Sequence, residues 1–297
     1  MLVPWPGMIR VSEYKMHNRR MVSERRYNGK VEWPNGACLA VLITFDFQAE
    51  EGVRPLPNGH TDYKELTERR YGGTCGIWRI LRILDQYRIP CTFRICGGTA
   101  EKYPDAVREI QKRKHEIAAH GLHHEPLDRL NPEEEAGIVE QAIACIQAVT
   151  GERPLGWKTP NTQCSPNTVE ILTRYGFLWR SDCQSQTLPY VNEVEGKEIV
   201  ELPHTYTTAD LPLYNPGKIP GGIPRKVLQV WRHEFDQLYG ESQLHPTLFN
   251  ITFHPLVSGR PARAKALDDF LKHVVGHPKL WFARSAEVAQ WWLKQGY

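Results

Sequence analysis

The chain alternates short apolar runs with amphipathic segments from residue 37 to its end. The runs are hydrophobic along nearly their whole length, which is typical of strands buried on both faces of a parallel sheet. This alternation predicts an α/β fold, either a (β/α) barrel or a doubly wound sheet. The strand candidates are residues 37–47, 91–98, 116–121, 155–160, 177–182, 199–204, 248–255 and 279–284.

Helix signals lie between these runs. In residues 76–89, apolar side chains recur at helical spacing and form one stripe. Asn131 is a typical N-cap residue, Pro132 suits the first helical turn, and Gly151 suits the position after the last turn. We therefore predict one helix in each place, and a long loop over the Pro- and Gly-rich residues 211–225.

The length of 297 residues would suit one large domain or two ordinary ones. No internal repeat and no low-complexity linker divides the chain. We therefore predict a single barrel domain over residues 37–297, preceded by an irregular N-terminal arm over residues 1–36. The composition, with 41% hydrophobic and 24% charged residues, is typical of soluble globular proteins and excludes a disordered or fibrous chain.

Charge and cysteine content narrow the class of protein. The 37 basic and 34 acidic residues nearly balance, so the net charge of +3 gives no basis for binding nucleic acid or an anionic membrane. No apolar stretch approaches the roughly 18 residues of a transmembrane helix. The seven cysteines are scattered without paired spacing, and the N-terminus lacks a signal-peptide pattern. We expect reduced thiols and a cytoplasmic protein, which disfavours a role in a cell wall.

Polar side chains suited to hydrolysis stand at the ends of three predicted strands. They are Asp46, the pair His120 and His124, and His254. In a parallel barrel, the carboxyl ends of the strands share one rim, where active sites form. Two histidines four residues apart are a common metal-ligand arrangement, although a hydrogen-bonded surface cluster is the alternative for this pair alone. The combination at three strand ends favours a catalytic site.

These segments together resemble a known family. The order ITFDF, EIAAHGLHHE, GERPLGWKTP, WRSDCQSQTLPY, VELPHTYTTADLP, ITFHPLVSGRP is similar to that of the polysaccharide deacetylase superfamily. It most resembles the branch of allantoinase-like proteins, cyclic imide hydrolases and Helicobacter-type peptidoglycan deacetylases. The resemblance implies a distorted (β/α) barrel of about seven strands and hydrolysis of a non-peptide carbon–nitrogen bond.

The resemblance also implies roles for particular residues. Asp46 matches the aspartate that acts as general base on the attacking water, and His254 matches the histidine that donates a proton. His120 and His124 match two ligands of a divalent metal such as Zn, Mn or Co. Such an ion lowers the pKa of bound water from about 16 toward about 7 and polarises a carbonyl group.

The third metal ligand of the family is not matched. Family members supply a carboxylate directly after the base or two residues on, where this chain has Phe47 and Gln48. A neutral glutamine amide is a poor third ligand, so metal affinity should fall unless Glu50 or Asp46 fills the position. Allantoinase-like members are altered here as well, which implies catalysis without a tightly bound metal. The sequence leaves both routes open.

Other motif positions carry candidate catalytic and substrate-binding residues. Lys158 stands where many deacetylases have an arginine that orients the base, and it keeps the charge without the bidentate fork. Trp157 and Trp179 are candidates for an aromatic wall beside a flat amide ring. Trp179 and Arg180 replace a Tyr-Asp pair of the family, and Asp182 follows two residues later. Arg180 could hold a substrate carbonyl or carboxylate, or simply pair with a nearby acid.

Three functions are consistent with these patterns. The first is hydrolysis of a small, cyclic amide of the imide or ureide type, with water activated by Asp46. The second is deacetylation of an N-acetyl sugar or peptidoglycan, and the third is a catalytically silent binding protein. Retention of Asp46, His120, His124 and His254 argues against the third. The resemblance further implies a homo-oligomer, a dimer or a tetramer.

Overall fold

The computed structural model describes residues 22–27, 29–214 and 222–297. Within them the strands, in chain order, are β1 (Ser23–Arg25), β2 (Leu39–Phe47), β3 (Thr92–Ile95), β4 (Glu116–Ala119), β5 (Gly156–Trp157), β6 (Trp179–Arg180), β7 (Tyr190–Val194), β8 (Lys197–Glu201), β9 (Thr247–Phe253) and β10 (Leu280–Phe282).

The α-helices are α1 (Tyr63–Tyr71), α2 (Ile77–Tyr87), α3 (Gly97–Lys102), α4 (Pro104–Lys112), α5 (Pro132–Thr150), α6 (Thr168–Arg174), α7 (Asp210–Tyr214), α8 (Pro224–Ser242), α9 (Pro255–Ser258), α10 (Pro261–Val275) and α11 (Ser285–Gln295). A π-helical turn, Gly72–Gly76, joins α1 to α2. None of the helices in the described residues is long and apolar enough to cross a bilayer.

Seven parallel strands form the central sheet, in the order β8-β6-β5-β4-β3-β2-β9. Strand β10 adds in parallel to the first residues of β2, and β7 and β1 extend the other edge in antiparallel orientation. The helices between the parallel strands pack against the sheet as crossover connections. The described ladder is not closed between β8 and β9 by backbone pairing, as in a distorted barrel. The predicted α/β barrel class is confirmed.

All eight predicted strands are present in the structure, each shorter than or close to its predicted length. The predicted helix that Asn131 caps is also confirmed. The Asn131 side chain accepts from the Glu134 amide at 2.9 Å, and Gly151 ends the helix in the left-handed region with φ of 74°.

Sequence reasoning missed the edge strands β1 and β7. Strand β1 reads Ser-Glu-Arg and all three residues are exposed, so no apolar pattern marks it. It pairs with β7, so part of the predicted arm belongs to the sheet. Trp33, also in that arm, is buried and donates from Nε1 to the carbonyl oxygen of Thr247 at 2.9 Å. Residues 1–21 and 28 of the predicted arm lie outside the described residues.

The long loop predicted over residues 211–225 is wrong at both ends. Helix α7 extends to Tyr214, and α8 begins at Pro224. Two of the prolines that suggested a loop, Pro212 and Pro224, stand in first helical turns, where a missing backbone N–H removes no intrahelical hydrogen bond. Residues 215–221 lie outside the described part of the chain.

Alternation along β2 separates two environments. Every residue of β2 is buried, because the strand lies between β3 and β9 with helices on one face and the barrel interior on the other. The odd-numbered residues, such as Phe45 and Phe47, pack with the helices in the larger apolar cluster. The even-numbered residues face inward: Ala40 and Leu42 pack in a second apolar cluster at the amino ends of the strands.

Close packing at Gly76 places the helix that follows β9. A methyl group on Gly76 would lie 2.1 Å from the carbonyl oxygen of Pro255, the residue after His254. Gly76 therefore allows the π-helical turn to contact α9 directly. Gly240 in α8 is a natural comparison, because no atom lies within 4 Å of its added methyl group.

We predict that Gly76→Ala lowers the free energy of unfolding by about 1–3 kcal/mol, the usual cost of overpacking. Gly240→Ala should change it by about 1 kcal/mol or less, in the stabilising direction, because alanine is the better helix former. Urea denaturation monitored by circular dichroism measures both. Equal stabilities for the two variants would contradict this account of the contact.

Candidate active site

Inward-facing residues at the carboxyl ends of β2, β3 and β9 build the centre of the site. Past the apolar layer, the inward positions become polar at Thr44 and Asp46 of β2 and at Gln48, the residue after the strand. Asp46 lies opposite Arg94 of β3 in strand register, and Thr44 lies opposite Thr252 of β9. Strand pairing alone therefore brings a carboxylate and a guanidinium side by side at the rim.

Asp46 and Arg94 form a buried ion pair. Arg94 donates from Nε to Asp46 Oδ1 at 2.5 Å and from Nη2 to Thr252 Oγ1 at 2.9 Å, with no exposed surface of its own. Burial alone would raise the pKa of Asp46, but the surrounding positive groups, with the Arg94 guanidinium foremost, together outweigh burial and hold that pKa well below its usual range. Asp46 is therefore ionised at every physiological pH.

His254 is oriented by Asp210 of α7. The ring Nδ1 lies 2.6 Å from Asp210 Oδ1, and the His254 backbone amide donates to Asp210 Oδ2 at 2.8 Å. Ser258 donates to the same oxygen at 2.6 Å. Burial opposes the charge on His254, but the Asp210 carboxylate outweighs it and raises the pKa of His254. The other ring nitrogen, Nε2, lies 3.7 Å from Asp46 Oδ2.

His120 and His124 lie beside Asp46. The Nδ1 atom of His120 is 2.7 Å from the carbonyl oxygen of Lys158, which leaves Nε2 facing Asp46 Oδ2 at 3.8 Å. The two imidazole rings are 5.0 Å apart, centre to centre. Burial lowers the pKa of His120 to about 4 and that of His124 to about 2, so both rings are neutral at pH 7. Neutral imidazoles are the metal-binding form.

Lys158 is buried beside the cavity. Its Nζ lies 3.6 Å from Asp182 Oδ1 and has no hydrogen-bond partner among the described residues. Asp182 is held by Thr159, whose amide and hydroxyl donate to it at 2.8 and 3.0 Å. Burial lowers the pKa of Lys158, and Asp182 opposes that shift. The cation that is hydrogen-bonded to Asp46 is Arg94, while Lys158 lies nearer to Asp182.

These groups surround a cavity of about 50 Å³. Its lining includes predicted residues from four strand ends together with residues that sequence reasoning had not singled out. The lining residues are Asp46, Gln48, His120, His124, Lys158, Asn161, Thr162, His204, Tyr206, Ala209, Leu211, Thr252 and His254.

The predicted aromatic wall does not line this cavity. Trp157 is fully buried and donates from Nε1 to Thr159 Oγ1 at 3.0 Å. Trp179 is fully buried and donates to Glu116 Oε1 at 2.8 Å. Tyr206 is instead the aromatic residue at the cavity.

Arg180 and Asp182 also lie behind the cavity lining. Arg180 Nε is 2.7 Å from Glu201 Oε2 and 3.3 Å from Asp182 Oδ2. The guanidinium is thus already paired with two carboxylates of the protein. This is the paired arrangement that the sequence left open for Arg180, in a buried position. Asp182 connects this pair to Lys158 and thereby supports a residue of the cavity.

Sequence reasoning missed Arg94, Asp210 and His204. Arg94 is a single charge in the apolar run CTFRIC, which is itself a signal, because an arginine in a buried strand needs an anionic partner. Asp210 lies 44 residues before its contact His254, so no local sequence pattern connects the two. His204 lines the cavity, and burial lowers its pKa to about 2.

The cavity residues fit a divalent cation through neutral donors. His120 presents Nε2, His124 lies beside it, and the buried Oε1 of Gln48 has no hydrogen-bond partner among the described residues. Glu50 is turned away: it accepts from Tyr103 at 2.6 Å and pairs with Lys102. In the described residues, no three Asp, Glu, His or Cys ligand atoms of this cavity lie within 4.8 Å of one another. Gln48 is the neutral side chain of the cavity lining that could supply a third ligand atom.

Comparison with known proteins agrees with this geometry. Residues 40–178 match the family model of polysaccharide deacetylase. The chain is 25% identical to the peptidoglycan deacetylase of Helicobacter pylori over 286 residues, which cover 86% of this chain and 97% of that protein.

Two solved structures share the fold over nearly their whole length. A candidate polysaccharide deacetylase of Mycobacterium smegmatis is 31% identical with a TM-score of 0.84, covering 92% of this chain and 96% of that one. PuuE allantoinase is 27% identical with a TM-score of 0.81, covering 90% and 94%. The chain is thus a hydrolase of carbon–nitrogen bonds, and it belongs to the polysaccharide deacetylase family.

We predict that Asp210→Asn lowers the pKa of His254. Asp210 raises that pKa above the ordinary histidine value of 6.5, and without its charge the effect of burial dominates. The imidazolium form should then be lost at a lower pH as pH rises. Titration of the ring nitrogens by NMR measures the shift, with exposed His233 as internal control. An unchanged or higher midpoint for His254 would contradict it.

We predict that Gln48→Asp strengthens binding of Mn²⁺ or Co²⁺ at the cavity by at least about tenfold, or about 1.4 kcal/mol. The reason is that a carboxylate replaces a neutral amide oxygen beside His120 and His124. Isothermal titration calorimetry measures the affinity. The gain should vanish in the double variant Gln48→Asp, His120→Ala. Equal affinity of wild type and Gln48→Asp would show that residue 48 is not a ligand position.

Proposed function

We propose that this protein hydrolyses the carbon–nitrogen bond of a small, neutral, cyclic amide of the imide or ureide type. The observation that carries the proposal is the small cavity at the strand ends, into which Asp46, Lys158 and His254 all face.

The charges around the cavity support a neutral substrate. Each cation at the cavity has a carboxylate nearby: Arg94 pairs with Asp46, His254 contacts Asp210, and Lys158 lies near Asp182, which also contacts Arg180. The positive and negative charges of the site thus balance each other before a ligand enters. A charged substrate would bring an uncompensated charge into a buried environment, which is costly.

The residues can divide the reaction between them. Asp46 Oδ2 accepts a proton from water as the water oxygen bonds to the amide carbonyl carbon. The ammonium of Lys158, which has no hydrogen-bond partner in the described structure, can donate to the oxygen that becomes negative. His254 donates its Nε2 proton to the ring nitrogen as the carbon–nitrogen bond breaks. The products are a carboxylic acid and an amine or amide nitrogen in one opened chain.

The ion pair with Arg94 limits Asp46 as a base, because a carboxylate with a very low pKa accepts a proton weakly. A divalent cation bound by His120, His124 and Gln48 would make a nearby water more acidic. Without such an ion, activation of the water depends on its close positioning by Asp46 and His254, whose facing atoms Oδ2 and Nε2 are 3.7 Å apart. Both forms of the reaction use the same protein residues.

PuuE allantoinase and the neutral Gln48 favour the cyclic amide. The H. pylori relative favours a second candidate, removal of acetyl groups from an N-acetyl sugar or peptidoglycan. The same Asp46 and His254 would serve that reaction, with acetate as product. In our proposal the enzyme is cytoplasmic and a homo-oligomer. All seven cysteines are free, in keeping with the first of these.

The two candidates are separable by substrate and product. Purified protein, with and without added Mn²⁺, Co²⁺ or Zn²⁺, should open cyclic imides or ureides and release no acetate from N-acetylglucosamine oligomers. We predict that Asp46→Asn and His254→Ala each lower kcat/KM by about 10²–10⁴. Ring opening is followed by mass spectrometry and acetate by enzymatic assay.

Asp105→Asn is the matched control, because Asp105 is exposed and is not among the residues that line the cavity. It should retain full activity. Acetate release without ring opening would replace our proposal by the deacetylase. If Asp46→Asn kept full activity on these substrates, the assigned site would be rejected. If the wild-type protein acted on none of these compounds, a silent binding protein would be favoured.

A further inference from the structure

A second cluster of metal-ligand side chains lies on the outer helical layer. Asp236 is on α8, His273 is in the last turn of α10, and His277 follows four residues later. One ligand atom from each lies within 4.8 Å of the others, and all three side chains are exposed or half-buried. None of them lines the active-site cavity. We propose that Asp236, His273 and His277 form a separate binding site for a divalent transition metal such as zinc.

The histidines are arranged as ligands. The Nδ1 atom of His277 lies 3.0 Å from the carbonyl oxygen of His273. When Nδ1–H donates to that oxygen, Nε2 of the neutral ring keeps a free lone pair that can bind a metal. That Nε2 lies 3.9 Å from Asp236 Oδ1. A backbone carbonyl that fixes the tautomer of a ligating histidine is a common outer contact in metal sites. The two rings are 4.9 Å apart.

Aromatic packing holds the cluster in place. The ring of His277 contacts Phe235 at 5.0 Å and Tyr239 at 4.8 Å between centres, and His273 contacts Phe235 at 6.0 Å. The Tyr239 hydroxyl donates to the carbonyl oxygen of Pro278 at 3.2 Å, which ties the turn after α10 to α8. The ligands are thus ordered by contacts that do not depend on a metal.

Electrostatics favour a cation here more than in the cavity. Within the described chain, no lysine or arginine nitrogen lies within 4.0 Å of the Asp236 carboxylate, whose ion-pair partners are His273 and His277. Its contact with His273, 2.6 Å, is one that a metal can replace, with loss of the shared proton. Two imidazoles and one carboxylate suit zinc and leave a coordination position for water.

A bound ion would join α8 to α10. These helices pack against each other, and Phe235 of α8 and Phe270 of α10 both belong to the larger apolar cluster that supports β9. Because the ion binds the folded arrangement only, zinc should raise the melting temperature of the whole protein. The inferred role is structural stabilisation, independent of the reaction at the active site.

The test uses the full chain with the double substitution His120→Ala, His124→Ala, which removes the cavity imidazoles. Equilibrium dialysis against zinc should give one ion per chain, and differential scanning fluorimetry should show a zinc-dependent rise in melting temperature. Adding Asp236→Asn or His277→Ala should weaken zinc binding by more than about 100-fold, exceeding the usual cost of losing an outer contact.

His233→Ala is the matched control, since His233 is an exposed histidine on the same helix α8. It should leave zinc binding and the zinc-dependent stabilisation unchanged. Circular dichroism in EDTA establishes that each variant is folded, and the near-isosteric Asp236→Asn guards against a packing defect in His277→Ala. Zinc binding that is equal in Asp236→Asn and His233→Ala, or absent from the parent, would overturn the proposal.

Discussion

The buried pair of Asp46 and Arg94 is the interaction around which the rim of the barrel is organised. Neither charge could be buried alone, since removing one partner of such a pair typically costs about 3–5 kcal/mol. Arg94 also contacts Thr252, so one side chain connects β3, β2 and β9 where their carboxyl ends meet. The ionised Asp46 in turn provides the negative charge toward which His120 and His254 face.

This arrangement also accounts for the position of Lys158. Asp46 pairs with Arg94 of β3, and Lys158, the residue after β5, lies beside Asp182 at the cavity edge. The carboxylate that would attract a metal is likewise committed to arginine. A cation in the cavity would depend on imidazole and amide donors, whereas the surface cluster has a carboxylate without a competing lysine or arginine among the described residues.

Much of the fold was predictable because buried parallel strands leave a strong one-dimensional pattern. The strand ends then located Asp46, His120, His124 and His254, which the structure brings to one cavity. Trp157 and Trp179 show where such reasoning stops. Strands β5 and β6 contain only two residues each, too few to show which side chains face the cavity.

Contacts between segments that are distant in the chain could not be predicted from the sequence. Asp210 acts on His254 only because α7 folds over the end of β9, and neither segment carries a local trace of the other. The exposed strand β1 gave no signal, since its pairing with β7 depends on backbone hydrogen bonds and not on side-chain pattern.

The alternation along β2 and the residue after it gives two sets of positions: one packs against the helices and the other lines the cavity. Phe45 and Phe47 meet the helices, while Asp46 and Gln48 meet the cavity, although all four are neighbours in the chain. A change of reactivity can therefore arise by substitution at inward positions while the helix-facing positions retain the residues that hold the fold. A carboxylate or an amide at position 48 would be carried by the same barrel, which offers a route for one scaffold to acquire different chemistries.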